Sequence, residues 1–422
     1  MTEPMKTKGP FYGWINLGIL WFSYCTVVAS ISYAFGVVVS DMADSFSMTM
    51  TLATGAYTGY TLVHALTAPI AGKFISRFGA KKSMLAGLGL LTAGCLLLAF
   101  FGKSIFFYYV FWIFFVGFGM RFGTLLPSQV NISKWFFNYR GLAMSLLLTA
   151  GGIGGYIFTP LCTKLNEAYS WRAVWLMIAA FSALSMLLVL LVRETPEKYG
   201  MCVDGGAQAN ESAKRQSHGV YKTNEAWTLR SAKRRPAFYM LIFLYFASSY
   251  QLSVISSQSI NHLALQGVDR AAAASAVGMF AFINTFGRIV VGVSGDRFDM
   301  KKILGIGAAI SICGFLLLMK ARSIGAAYAA LILSGLGYGI VMVAPQNMLL
   351  NYFGSYDYAN INGMYSMAAG VLSAAPPVIV GWFYDMNGNY SFAWIFGIIL
   401  MTLSLVIAAV IRPPVMNKEK TT

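Results

Sequence analysis

The chain has 422 residues, 57% hydrophobic and only 11% charged, with a formal net charge of +16; an average soluble domain is roughly 45–50% apolar and about 25% charged. A water-soluble fold is excluded, and apolar runs of about 20 residues without period-two alternation exclude a transmembrane barrel in favour of membrane-spanning helices. The basic excess falls on one membrane face, so nucleic acid is excluded as a partner and the lipid bilayer takes its place.

Hydropathy divides the chain into twelve spans, at 14–40, 51–72, 83–102, 104–131, 141–162, 172–193, 236–261, 271–295, 303–320, 323–349, 359–384 and 390–411. The first follows Lys6 and Lys8, exceeds a signal-peptide core in length and lacks a small-residue cleavage site, so it is expected to be retained. Glu194 to Arg235 is rich in Gly, Ser, Glu, Lys and Arg and reads as a linker, closed by the headgroup anchor Lys233-Arg234-Arg235-Pro236. The expected organisation is a six-helix bundle at 1–193, a linker at 194–235 and a second bundle at 236–422. Of the 31 Lys and Arg, 23 fall on the side of the termini, 6 on the other side and 2 within spans. Positive-inside bias therefore places both termini in the cytoplasm, in a cytoplasmic-membrane protein expected to be a monomer. Cys25, Cys95, Cys162, Cys202 and Cys313, with His64, His218 and His262, show no C-x-x-C pair and no metal-ligand spacing. No disulfide framework, metal or cofactor is expected.

The chain repeats itself. A shift of 220 carries Gly72, Arg77, Phe78, Lys81, Lys82 and Gly87 onto Gly292, Arg297, Phe298, Lys301, Lys302 and Gly307, and Gly117 and Gly119 onto Gly337 and Gly339. A shift of 221 carries Tyr169-Ser170 onto Tyr390-Ser391. Two parallel six-span bundles follow, with a functional site expected where they meet near the midplane, an arrangement suited to transport.

The segment from Gly72 to Lys82 resembles the major facilitator signature G-x-x-x-D-R-x-G-R-R, with a second copy from Gly292 to Lys302. The resemblance implies an all-α major facilitator fold of twelve helices in two pseudo-symmetric bundles. It also implies a cytoplasmic gate that includes Gly72, Arg77, Lys81, Gly292, Asp296 and Arg297. Ser76 stands where the family usually has aspartate, while the second copy keeps Asp296-Arg297. Tyr12-Gly13-Trp14, Ser32 to Gly36, Trp135-Phe136, Arg140 to Ala143, Trp171-Arg172 and Gly287-Arg288 are similar to monocarboxylate porters and oxalate/formate antiporters.

No Asp or Glu lies deep in a predicted span, yet Arg121 and Arg288 do. A mid-bilayer cation costs roughly 2.5–3.5 kcal/mol, so each is expected to face a watery cavity or a partner. With no deep carboxylate, an anionic ligand is the natural partner, and a guanidinium matches a carboxylate with two hydrogen bonds. The family resemblance puts Arg288 on the substrate-binding arginine. The alternative for both residues is structural, capping carbonyls or snorkelling. Asn284 stands where animal proton-coupled porters have aspartate, and residues 359–384 lack the span-eleven lysine of the oxalate/formate group, Ala369 lying near its place. A monoanion such as lactate, pyruvate or formate is favoured unless Arg121 supplies the second charge. His64, the repeat partner of Asn284, is the candidate for proton coupling, with a packing role as its alternative. Tyr33 and Tyr338 are candidate substrate contacts or packing residues. Gly151, Gly152, Gly154 and Gly155, and the Gly370/Ala374 pair, read as helix-contact surfaces, and Pro376-Pro377 as a kink.

The expected function is secondary transport of small monocarboxylates by alternating access, proton-coupled or by exchange. Alternatives are a dicarboxylate exchanger, a drug exporter, disfavoured by the absence of a buried carboxylate, or a non-transporting sensor of the same fold. No nucleophile–base or metal pattern supports an enzyme.

Overall fold

The computed structural model describes residues 11–48, 50–102, 104–205, 221–223, 225–295, 297–373, 380, 386 and 390–415. All regular elements among them are helical. Helix α1 runs through Tyr12–Ser23, a π-helical stretch Tyr24–Ala29 and Ser30–Ser45. Helix α2 comprises Met50–Leu66 and Ala68–Phe78, and α3 is Ala80–Phe101. Helix α4 is Ile105–Trp135, with a π-helical stretch at Val110–Val116. Then come α5 (Arg140–Ala168), α6 (Trp171–Val189), α7 (Pro236–Leu265), α8 (Arg270–Gly295), α9 (Met300–Lys320), α10 (Ile324–Phe353), α11 (Tyr358–Leu372) and α12 (Ser391–Val410). By length and composition, nine helices among the described residues can cross a membrane. The predicted first and second spans are also helices, and the eleventh is helix over Tyr358–Leu372, with 374–379 and 381–385 outside the described residues.

Helices α2 and α4 break ahead of proline. Pro69 and Pro127 have no N–H to donate; the helix loosens at Thr67, where ψ opens to −6°, and leaves helical geometry at Thr124, with φ −123° and ψ −107°. The threonine hydroxyls help satisfy the preceding carbonyls: Thr67 Oγ1 donates to Val63 O at 2.7 Å and Thr124 Oγ1 to Met120 O at 2.6 Å. Helix α2 continues to Phe78 and α3 starts at Ala80, so the cationic connection expected at 73–82 is helix on both sides of a single turning residue, Gly79. Charged side chains reach the headgroups while their backbone stays helical, which is why hydropathy ends the helix early.

The packing corrects the repeat register in two places. Ser104 and Ser323 are N-caps of the fourth and tenth helices, 219 positions apart. Beyond the π-helical stretch of α4 the offset becomes 218: Gly119 abuts Leu91 of α3 as Gly337 abuts Ser311 of α9, and Gly117 faces Tyr60 as Gly335 faces Phe280. The π-helical stretch absorbs the extra residue. Matching Gly117 and Gly119 to Gly337 and Gly339 therefore paired the wrong glycines. In α6 and α12 the structural offset is 219, with buried Trp175 and Ser185 answering Trp394 and Ser404.

Two compact units result, Met1–Arg215 with Ala359–Gly370, and Gln216–Tyr358 with Val371–Thr422. Within the first unit, α11 lies against α2 along small residues. Gly363 abuts Ala68, Gly370 abuts Ala65, and a Cβ on Gly72 would stand 2.5 Å from the Ala359 carbonyl oxygen. The sequence halves and the compact units thus differ at 359–370. Of the linker, the start folds onto the first unit: Asp204 accepts from the backbone N–H groups of Phe137 (3.1 Å) and Asn138 (2.8 Å). Its end folds onto the second, where Thr223 N donates to Asn351 O at 2.9 Å. Residues 206–220, Ala374 and Pro376-Pro377 lie outside the described residues.

Candidate functional site

In the first unit, α2 and α4 bring His64 and Arg121 together. Arg121 follows Gly117 and Gly119, whose missing side chains let α4 settle on α2 and α3, and it is only 7% exposed. Its Nε donates to the His64 carbonyl oxygen at 2.7 Å, and Nη2 lies 3.4 Å from His64 Nδ1. The carbonyl is available because the break at Thr67 and Pro69 interrupts the α2 ladder. A guanidinium only donates, so Nδ1 is the acceptor and the neutral imidazole carries its proton on Nε2. The Tyr60 ring stacks on the imidazole at 5.9 Å and 25°. The sequence named both residues without pairing them; the corrected offset holds the signal, because Arg121 answers Gly339, which packs on the backbone of Asn284, the repeat partner of His64.

In the second unit, Asn284 and Arg288 sit one turn apart on α8, and both are buried, at 5% and 7% exposure. Gly287 and Gly339 bring α8 and α10 into backbone contact here: a Cβ on Gly339 would collide with Asn284 O and one on Gly287 with Leu336 O. Asn284 Oδ1 is buried and has no hydrogen-bond partner among the described residues. Tyr338 on α10 is 3% exposed, packs against the Phe280 ring at 5.6 Å, and directs its hydroxyl to Met342 Sδ at 3.4 Å. Each unit thus sets a buried arginine beside a polar residue at the His64/Asn284 repeat position; Arg140, also buried at 6% exposure, stands at the first residue of α5. Among the described residues, the acids of the spanning helices are Asp41, Asp44 and Glu167, all exposed in the last turns of α1 and α5. Tyr33 lies on α1, but its side chain is outside the described residues.

The gate residues divide differently. Gly79 turns the chain at φ +91°, and a Cβ there would collide with the Glu194 carboxylate. Lys81 Nζ donates to Leu190 O at 2.5 Å, placing a cation at the C-terminus of α6. Ser76, in the family's aspartate position, accepts from Asn360 Nδ2 of α11 at 3.0 Å. Asn362 Nδ2, also on α11, donates to Gln129 Oε1 at 2.7 Å. Arg77 and Arg297 are exposed, Gly292 is buried in α8, and Asp296 lies outside the described residues. Among the described residues no group of three metal-ligating side chains occurs.

The model for the Major Facilitator Superfamily matches residues 20–292 and 241–422. The chain is 25% identical over 324 residues to the "Uncharacterized MFS-type transporter YhjX" of Escherichia coli, covering 73% of each chain. It is 22% identical over 421 residues to "Monocarboxylate transporter 2" of Rattus norvegicus, covering 95% of this chain and 85% of that one. Its fold matches the solved E. coli fucose:proton symporter FucP with a TM-score of 0.70 at 14% identity, covering 94% of this chain and 97% of that one. The protein therefore belongs to the Major Facilitator Superfamily, a family of multi-pass membrane transporters, and has monocarboxylate transporters among its relatives at low identity.

Proposed function

We propose that this protein carries small monocarboxylate anions of the lactate, pyruvate or formate type across the cytoplasmic membrane, by alternating access, with both termini in the cytoplasm. The observation that carries the reading is Arg288, a cation held at 7% exposure inside a spanning helix one turn from buried Asn284. A guanidinium in that setting gains strongly from a carboxylate, which offsets its charge and accepts two parallel hydrogen bonds. Asn284 supplies an amide donor beside it without a competing negative charge, and Tyr338 offers an aromatic wall. Anion binding biases the conformational equilibrium to the extent that the two states bind the anion with different affinities.

The relatives named as monocarboxylate transporters support the substrate class. In this reading His64 carries any coupled proton. The seam of Gly72, Ser76, Lys81 and α11 acts as the cytoplasmic gate, joined by Arg77, Gly292, Asp296 and Arg297. A second reading, exchange of a dicarboxylate such as oxalate, is favoured by one observation: Arg121 is a second arginine buried midway along a spanning helix. Proteoliposomes loaded with lactate or oxalate and assayed for counterflow of the labelled anion test both. Lactate counterflow supports the first reading, counterflow confined to oxalate the second, and neither anion moving overturns both.

A further inference from the structure

We propose that the second unit holds a binding site for an anionic phospholipid, in the groove between the start of α9 and the end of α12. The groove has a volume of about 300 Å³ and is lined by Asp299, Lys301, Lys302, Gly305, Leu405, Ala408 and Ala409. It has a cationic mouth and an apolar floor, the two chemistries of a phosphodiester headgroup and the acyl chain beneath it.

The internal repeat shows that this groove is not imposed by the architecture. At the same place in the first unit, α3 and α6 carry Leu85, Val189 and Leu190, where α9 and α12 carry Gly305, Ala408 and Ala409. Three side chains are cut back, one of them to hydrogen. The lysine is also used differently. In the first unit Lys81 spans the gap and donates to the Leu190 carbonyl at 2.5 Å. Its counterpart Lys301 instead lies 3.7 Å from the Asp299 carboxylate, and Asp299 stands where the first unit has Gly79. The gap that Lys81 closes in one unit is therefore open in the other.

The charge balance at the mouth favours an anion. Two lysines face one carboxylate, and that carboxylate is already engaged, since Asp299 Oδ1 accepts from Lys301 N at 3.0 Å. Lys302 is exposed, and exposed Arg412 follows the C-cap Ile411 of α12 at the same end of the helix pair. Small residues continue the groove along the helices: a Cβ added at Gly305 would meet only Leu405 Cδ1, at 3.4 Å, so the position is open. A free phosphate would use the mouth alone; a phospholipid uses mouth and floor together, and it is the lipid that the geometry favours. In the orientation proposed above, this mouth lies in the cytoplasmic leaflet, which carries the anionic lipids.

The full-length protein in detergent, titrated with dioleoylphosphatidylglycerol or dioleoylphosphatidylcholine and read by native mass spectrometry, tests the proposal. One phosphatidylglycerol is expected to bind at least tenfold more tightly than phosphatidylcholine, and to stay bound in millimolar inorganic phosphate. Lys301→Gln with Lys302→Gln removes two cations, each worth about fivefold in affinity, so roughly a 25-fold loss is expected. Gly305→Leu with Ala409→Leu restores the first unit's residues and keeps every charge; it is expected to weaken phosphatidylglycerol binding by a similar factor in protein that still elutes as a monodisperse peak. Equal binding of the two lipids, displacement by phosphate, or unchanged binding in the lysine double variant would overturn the assignment. Should the leucine pair fail to elute as folded protein, Ala408→Val alone serves as the filling variant, and unchanged binding there would overturn the acyl-chain part.

Discussion

Arg288 bears most of the functional weight, and the fork of its guanidinium can be separated from its charge. Arg288→Lys keeps the cation and loses the second parallel hydrogen bond, worth about 1.5–3 kcal/mol when charge-assisted. Transport affinity for a monocarboxylate is therefore expected to fall by about ten- to a hundredfold, read as a rise in KM for uptake into proteoliposomes. Unchanged KM in the lysine variant would mean that the fork does not hold the carboxylate. His64 makes a separate prediction. Its Nδ1 is the acceptor facing Arg121 Nη2 at 3.4 Å, so the imidazole gains a second proton only when that contact opens. His64→Gln is expected to flatten the dependence of uptake on an imposed pH gradient while counterflow persists; an unchanged dependence in the variant would mean that His64 does not carry the proton, and a wild type indifferent to the gradient would leave anion exchange as the mechanism. Both arginines were legible in the sequence because a cation inside an uncharged run is conspicuous. Their surroundings were not: the Arg121–His64 pair depends on an offset of 218, which follows from a π-helical stretch that no hydropathy pattern signals.

The helices owe their close approaches to glycine, and two positions make this testable. At Gly79, φ of +91° with ψ of 163° is a glycine region that costs a residue with a Cβ about 1–3 kcal/mol, and the added atom collides with Glu194. Gly79→Ala is expected to lower the melting temperature measured in detergent, and an unchanged melt would show that the turn relaxes freely. Gly339→Val pushes α10 off the Asn284 carbonyl, where overpacking typically costs about 1–3 kcal/mol. The substitution is expected to impair transport beyond any loss of expression, because it shifts the turn of α8 that carries Asn284 and Arg288. Wild-type transport there would place the α8–α10 contact outside the site. Helix positions were readable from length and apolarity, and their ends were less so. The stretch from Gly72 to Lys82 reads as a loop by charge, yet all of it but Gly79 is helix, since lysine and arginine stems carry their charge outward from a helical backbone.

At the scale of the molecule, the repeat and the charge split specify two helical bundles, and the family match covers both. The departure at Ala359–Gly370, which packs with the first unit, was not legible. It depends on Gly72, Gly363 and Gly370 meeting backbone or alanine on the facing helix, a property of pairs that one sequence does not display. Orientation is checked on the native Cys202, which is exposed at the start of the linker. A membrane-impermeant maleimide is expected to label it in lysed but not in intact cells; labelling in intact cells would reverse the topology. The most direct test of anion transport through Arg288 is counterflow of radiolabelled lactate into lactate-loaded proteoliposomes, comparing wild type with Arg288→Gln purified as a folded, monodisperse protein. Lactate is expected to accumulate with the wild type and to stay at the level of protein-free vesicles with the variant, whereas equal accumulation by the two would contradict a substrate-binding role for Arg288.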